Sequence, residues 1–272
     1  MFGRKENLVV GLVTFDCDTL RIAVGGLGRL RSRFTLIIYN GNPAVRLRRT
    51  DVRKMGYRGR VYIVNDAGGV DVFSGISAIV TLARTVVRNA RWLVCIRDTD
   101  ILLDVAVPHV SRDTFAVIQN MVVIRHRIAD VLRVIHCPTD YIIDDENTTL
   151  SRPHMGFFGS LVRIDTVTGL CNVIGTISDK IRVLDEDLEY WPPYDAILWT
   201  MLNTYARSVN PDAVPIYMDR AGHISIMVDT ANTKYGRSAL PARATSEHYA
   251  RAVARFDAAL RAVLAAPMGQ NI

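Results

Sequence analysis

The stretch Arg91-Trp92-Leu93-Val94-Cys95-Ile96-Arg97-Asp98-Thr99-Asp100-Ile101-Leu102-Leu103-Asp104 decides how the chain is read. Trp92 to Ile96 is a short apolar run of β-favouring residues, which suits a strand buried on both faces. It runs directly into Asp98 and Asp100, two carboxylates separated by one residue. In an open α/β sheet, the carboxyl end of such a strand borders the crevice where ligands bind. Paired carboxylates repel one another unless a cation joins them, and hard divalent ions prefer oxygen ligands. The segment therefore suggests a metal-bridged phosphate site. Its plain alternative is a solvated acidic loop.

Working outward, Leu8 to Phe15 reads as a strand and Asp18 to Leu30 as a helical stretch striped by Leu20, Val24, Leu27 and Leu30. Phe34 to Tyr39 is a second strand, closed by the turn signal Asn40-Gly41-Asn42-Pro43. An arginine-rich segment through Lys54 leads to a third strand at Val61 to Val64, which ends at Asn65-Asp66-Ala67-Gly68-Gly69. Ser74 is placed as the N-cap of a helix reaching Asn89. The alternation predicts a mostly parallel sheet with helical crossovers.

After Val105 the pattern loosens. Phe115 to Ile124 is strand or helix. Asp140 to Asn147 is a polar loop, Phe157 to Ile164 a strand, and Asp165 to Gly169 a turn or short helix. A helix carries Ile197, Leu198, Met201, Leu202 and Tyr205 on one face, and short strands follow at Pro215 to Met218 and Ile224 to Val228. Asn232 to Pro241, with Lys234, Tyr235 and Arg237, reads as a mobile loop. Ser246 to Ala265 is a helix with Tyr249, Val253, Phe256, Leu260 and Val263 on one stripe. That stripe is expected to pack on its own domain; a membrane surface or a dimer contact are the alternatives.

The chain has 272 residues, 49% hydrophobic and 22% charged, the balance of a globular protein with a substantial core. No apolar run is long enough to span a bilayer and no signal-peptide h-region opens the chain, so a cytoplasmic location is expected. Cys17, Cys95, Cys137 and Cys171 are scattered without a C-x-x-C pair, which points away from a zinc site or a disulfide framework. The net charge of +6 comes from arginines spread along the chain. Without zinc-finger spacing or an RNP motif, nucleic acid is not among the expected partners; small polyanions and anionic membrane surfaces suit the charge equally well.

Thr14-Phe15-Asp16, Asn40-Gly41-Asn42, Asn65-Asp66 and Asp98-Thr99-Asp100 end successive strands. In that order and spacing, from Leu8 to Leu103, the chain resembles the nucleotide-sugar-dependent glycosyltransferases of the GT-A fold, the family-2-like group. The resemblance implies an α/β, GT-A-like fold: a mostly parallel Rossmann-type sheet flanked by helices, with a smaller acceptor-side C-terminal half. Residues 1–104 would form the nucleotide-sugar-binding half and 105–272 the acceptor-binding half of one domain. The implied reaction is metal-dependent, inverting transfer of a sugar (hexosyl transfer) from a nucleotide diphosphate sugar, UDP being the commonest nucleotide, to an acceptor hydroxyl. The acceptor would be a glycan, a lipid-linked molecule or a small molecule, with contact to a membrane surface in the lipid case.

By the same resemblance, Thr14, Phe15 and Asp16 would line the base and ribose pocket with Asn40 or Asn42, while Asn65 and Ser74 would contact ribose or pyrophosphate. Asp98 would reach ribose or metal, Asp100 would hold Mn2+ or Mg2+, and His223 would be a third metal ligand. Lys234, Tyr235 and Arg237 would form a lid over the diphosphate. The family's general base stands at a helix start. Asp195 is the first choice, and the pair Glu186-Asp187 competes. Arg97 departs from the family pattern, which often has an acid there, and this puts the ligand count in question. Two rivals stand beside this reading. Phe15-Asp16-Cys17-Asp18-Thr19 resembles the nucleophile motif of haloacid-dehalogenase-type phosphatases, with Asp144 and Asp145 as distal metal acids, but Thr19 falls one position early. A non-catalytic nucleotide-sugar-binding module is the other.

Overall fold

The structure is a computed structural model that describes residues 8–15, 17, 19–30, 32–66, 72–103, 105–126, 148–153, 156–186, 194–228 and 246–265. Its strands are β1 (Leu8–Thr14), β2 (Thr35–Asn40), β3 (Val61–Asn65), β4 (Trp92–Arg97), β5 (Asp100–Leu102), β6 (Thr114–His126), β7 (Thr148–Pro153), β8 (Leu161–Arg163) and β9 (Val214–Val228). The helices are α1 (Leu20–Leu27), α2 (Arg49–Lys54), α3 (Val72–Val86), α4 (Ile164–Glu186), α5 (Tyr194–Val209) and α6 (Ser246–Ala265).

One α/β sheet joins all the described strands in the order β3-β2-β1-β4-β8-β6-β9-β5, with β7 beside β6. The β3-β2-β1-β4 block is parallel throughout, and antiparallel β8 links it to the parallel pair β6 and β9. The parallel strands are apolar on both faces because helices cover both. From β1, Leu8, Val10 and Leu12 pack with Leu20, Val24 and Leu27 of α1. Val9 and Val13 face the other way, toward Ile76, Ile79 and Val80 of α3 and the helices α4 to α6. Gly11 lies under α3: a Cβ there would come within 2.8 Å of Ile79 Cγ2, so only glycine lets the helix sit this close.

The second half departs from the sequence expectations in two places, and the first half in one. Phe157 to Ile164 is not one strand: Leu161–Arg163 is the strand, Phe158 makes an isolated parallel bridge to Cys95, and Ile164 opens the long helix α4 where a turn or short helix was expected at Asp165 to Gly169. Thr166, Thr168 and Gly169 favour helix poorly, yet Val167, Leu170 and Ile174 bury one stripe, and that packing overrides local propensity. The two short strands around Asp219 to Gly222 are one strand, β9, which shifts register against β6 in that stretch. Ser74 is the third residue of α3, which starts at Val72, so it is not the cap. The segment Phe115 to Ile124 belongs to β6.

The α6 stripe is spent on the core. Phe256 and Leu260 are fully buried with Val253 and Val263 packed beside them, and Phe256 stacks on Phe73 at 6.0 Å. Among the described residues no helix is long and apolar enough to cross a membrane.

Candidate active site

The four parallel strands end together. In register, Thr14 of β1 lies beside Asn40 of β2, and Asn40 beside Asn65 of β3; on the other flank Val13 lies beside Arg97 of β4. The chain leaves β1 toward β2 on one side and returns from β3 through α3 to β4 on the other, so the crevice between β1 and β4 is the topological switch point. Thr14 and Asp98 meet there: the Thr14 hydroxyl donates to Asp98 Oδ2 at 2.8 Å. Phe15, half-buried, stands edge-on to Tyr39 at 6.3 Å, and Tyr39 donates its hydroxyl to Asp66 Oδ2 at 3.0 Å.

The asparagines build this edge. Asn40 is fully buried; its Nδ2 donates to the Val45 carbonyl at 2.6 Å and to Asn65 Oδ1 at 2.9 Å, and its Oδ1 accepts the Asn42 backbone N–H at 3.0 Å. Asn42 Oδ1 accepts the Ala44 N–H at 2.9 Å. Asn65 grips the Leu47 backbone from both sides, accepting its N–H at 2.9 Å and donating to its carbonyl at 3.1 Å. These carboxamides hold the segment after β2 against the end of β3, an Asx-turn role. Of the remaining expected donor-site residues, Ser74 is half-buried in α3 and Asp16 lies outside the described residues, as does Asp18. The phosphatase pair Asp144 and Asp145 and the lid residues Lys234, Tyr235 and Arg237 also lie outside them.

Asp98 and Asp100 share a motif but not an environment. Asp100 is fully buried, and its carboxylate is held by one neighbour, Arg97. Oδ2 accepts the Arg97 backbone N–H at 2.9 Å and its Nε at 3.2 Å, and Oδ1 accepts a terminal guanidinium nitrogen at 3.3 Å. The guanidinium packs over the Phe158 ring at 5.6 Å. Asp100 in the first place, then its bond to the guanidinium and the charges of Asp195 and Asp98, raise the Arg97 pKa further against the pull of burial. A cation at Asp100 would have to displace a guanidinium that already neutralises the carboxylate. His223 sits in β9 with its ring against Gly159, which bonds to the Cys95 carbonyl of β4 at 2.8 Å. Among the described residues no three His, Cys, Asp or Glu side chains are grouped to hold a metal ion. As arranged, Asp100 is committed to Arg97 and does not fit the Mn2+ or Mg2+ ligand role.

Asp195 is in the first turn of α5, and its Oδ1 accepts the Phe158 backbone N–H at 2.8 Å. It thus stands across the Phe157–Gly159 segment from Arg97, within reach of its charge. Of the competing pair, Glu186 is the last residue of α4 and Asp187 lies outside the described residues. Sequence reasoning missed Phe158 and Gly159 as parts of this site. Gly159 has φ +78°, in the left-handed region, and a Cβ on it would come within 2.1 Å of His223 Nδ1.

The charge is also arranged differently from the expectation. Residues 46–60 hold seven basic side chains and one acidic one, an excess of six that equals the net charge of the whole chain. The +6 is therefore local, and the rest of the chain balances to zero.

No family model and no curated protein sequence matches this chain. Solved structures do resemble it. One is 4-diphosphocytidyl-2C-methyl-D-erythritol synthase from Anaerococcus prevotii, at 10% identity over 94% of this chain and 97% of that one, with a TM-score of 0.37. A second is a glycosyltransferase involved in glycosylation of the major capsid of PBCV-1, at 8% identity over 93% and 99%, TM-score 0.37. A third is the glycosyltransferase GlyE of Streptococcus pneumoniae, at 8% identity over 95% and 63%, TM-score 0.37. At these values the likeness assigns no residue a role, and the functional reading rests on the chain's own geometry.

Proposed function

We propose that this chain is an inverting glycosyltransferase that moves a sugar, a hexose in the simplest case, from a nucleotide diphosphate sugar to an acceptor hydroxyl. The observation that supports it is the Thr14–Asp98 bond, which places a hydroxyl and a carboxylate side by side at the switch-point crevice of a parallel sheet. Thr14, Phe15 and Asp98 would contact the nucleoside, with the Asn40–Asn65 pair fixing the edge beside them. Residues 1–104 would carry the donor and residues 105–272 the acceptor.

Asp195 is the general base of this proposal. The acceptor hydroxyl forms its bond to the anomeric carbon as the sugar–phosphate bond breaks; the proton passes to the Asp195 carboxylate, and the diphosphate leaves with the bonding electrons. Its bond to the Phe158 N–H, at 2.8 Å through Oδ1, orients the carboxylate.

The test is a thermal-shift panel of UDP, GDP, dTDP and CMP, with UDP the first choice, since a ligand that binds only the native state raises apparent stability. One nucleotide should raise Tm, and Thr14→Val should diminish that shift. Asp195→Asn should keep the shift and lower turnover by ~10²-fold or more. If no nucleotide stabilises the protein the proposal fails. If Asp187→Asn abolishes turnover while Asp195→Asn remains active, the base is Asp187.

A further inference from the structure

We infer that the cleft on the outer side of β3 is a second binding site, built for a chain of phosphate groups. The inference does not rest on the proposed transfer reaction, although Asn65 belongs both to this cleft and to the edge beside the donor crevice. The cleft has a volume of about 480 Å³ and is lined by Arg46, Arg48 and Arg49 together with Tyr62 and Asn65, over a floor of Leu47, Ile63 and Leu82. Among the described residues no carboxylate lines it. The one acid of the surrounding segment, Asp51, accepts the Arg48 backbone N–H at 2.9 Å and so serves the start of α2. Among the described residues no carboxylate pairs with Arg46, Arg48, Arg49 or Arg60.

Like charges gathered without counter-charges repel one another, and the repulsion is relieved when an anion enters. Guarding an exposed sheet edge would explain charged side chains on β3 itself. Yet β3 carries none: the arginines come from the preceding loop and helix and converge on the cleft beside it. One of them, Arg49, lies over the Tyr62 ring with its guanidinium 5.6 Å from the centroid; Arg60, next to the cleft, lies over the same ring at 5.2 Å, and its Nε donates to the Tyr62 hydroxyl at 2.9 Å. Guanidinium forks match phosphate oxygens in geometry and charge. Because cations already face the Tyr62 ring, stacking of a nucleobase there is not the anchor. Phosphates are. They could come from a free oligophosphate or from the backbone of a nucleic acid.

The experiment measures binding of tripolyphosphate and of a mixed-sequence single-stranded oligonucleotide to the full chain across a salt series. Two variants are compared, the triple Arg46→Ala/Arg48→Ala/Arg49→Ala and a control, Arg88→Ala/Arg207→Ala/Arg255→Ala, which removes the same charge from exposed positions elsewhere. The cleft arginines are exposed, so the first variant should melt with the parent. Its affinity should fall at least ~10-fold and its salt slope should flatten by about two, at ~0.7 per phosphate contact for a single strand; the control should change little. Binding of tripolyphosphate supports a free oligophosphate as ligand, and binding of the oligonucleotide alone supports a nucleic-acid backbone. Equal loss in both variants, or no binding of either probe to the parent, overturns the inference.

Discussion

Removing the Arg97 side chain tests the central claim about the site, that Asp100 is the partner of a guanidinium and not a metal ligand. In Arg97→Ala the fully buried Asp100 carboxylate keeps the backbone N–H bond at 2.9 Å and loses both side-chain bonds, at 3.2 and 3.3 Å. Uncovering one member of a buried pair costs ~3–5 kcal/mol. The Arg97 side chain is 42% exposed, so water can enter the vacated space, and the lower end, ~3 kcal/mol, is expected. For a chain of this size that is a Tm fall of about 6–12 °C. Asp100→Asn removes the charge but keeps an oxygen for the backbone N–H, and the half-exposed guanidinium can turn to water, so ~1 kcal/mol is expected. The double variant should lie near the single Asp100→Asn, leaving a coupling energy of ~2–3 kcal/mol. Urea denaturation of the four proteins, with equal m-values, reads it directly. The reasoning fails if Arg97→Ala costs under ~1 kcal/mol, or if the two single effects add to within ~0.5 kcal/mol. It fails equally if Asp100→Asn abolishes a Mn2+-dependent stabilisation of the parent, because the carboxylate would then be a ligand after all.

Other expectations follow from the same geometry. Gly159→Ala must place a side chain at φ +78° and against the His223 ring, so it should lose at least ~2 kcal/mol, and His223→Ala in the same chain should restore part of that loss. Burial, helped by the charge of Cys171, pushes the Cys95 thiol far up, and burial lifts Cys171 to about 12. Iodoacetamide at pH 8 should therefore label half-buried Cys17 well before either, as read by peptide mass. The Tyr57 hydroxyl is raised from 10.0 to about 12 by burial. Its native value lies above its unfolded one, so its contribution is complete below pH 10 and is lost as pH rises through about 12. Tyr57→Phe should flatten the alkaline loss of stability over that interval, and an unchanged alkaline profile would refute the assignment.

The features legible in the sequence are those that repeat. Apolar runs such as Trp92 to Ile96 announce strands because both faces are covered, and once the strands are parallel their ends must share an edge. The row Asp98, Thr14, Asn40, Asn65 follows from that alone. The α5 and α6 helices were legible for the same reason: Ile197, Leu198, Met201 and Leu202, or Phe256 and Leu260, are core residues at helical spacing. The long α4 helix was not, because Thr166, Thr168 and Gly169 dilute its apolar stripe, and only the neighbouring helices supply the packing that settles it. In β9, Asp219 to Gly222 has the look of a turn, yet the strand continues through it with a register shift.

Pairwise chemistry is harder to read, and the Asp98–Asp100 motif shows why. Spacing states which side chains could converge; it does not state which charge reaches one of them first. For Asp100 that charge is Arg97, three residues earlier, and the tight turn between β4 and β5 brings the guanidinium back over the carboxylate. The clue was local, an arginine set directly before the first acid of the motif, but its consequence depends on a turn geometry that composition does not encode. For Asp195 the partner is Phe158, 37 residues away, and no local signal could have joined them. Both links run through the Phe157–Gly159 segment, whose Phe158 ring supports Arg97 and whose Phe158 N–H orients Asp195. A substitution that shifts this segment should therefore disturb the guanidinium and the proposed base together, whereas a site assembled from independent strand ends would lose them one at a time.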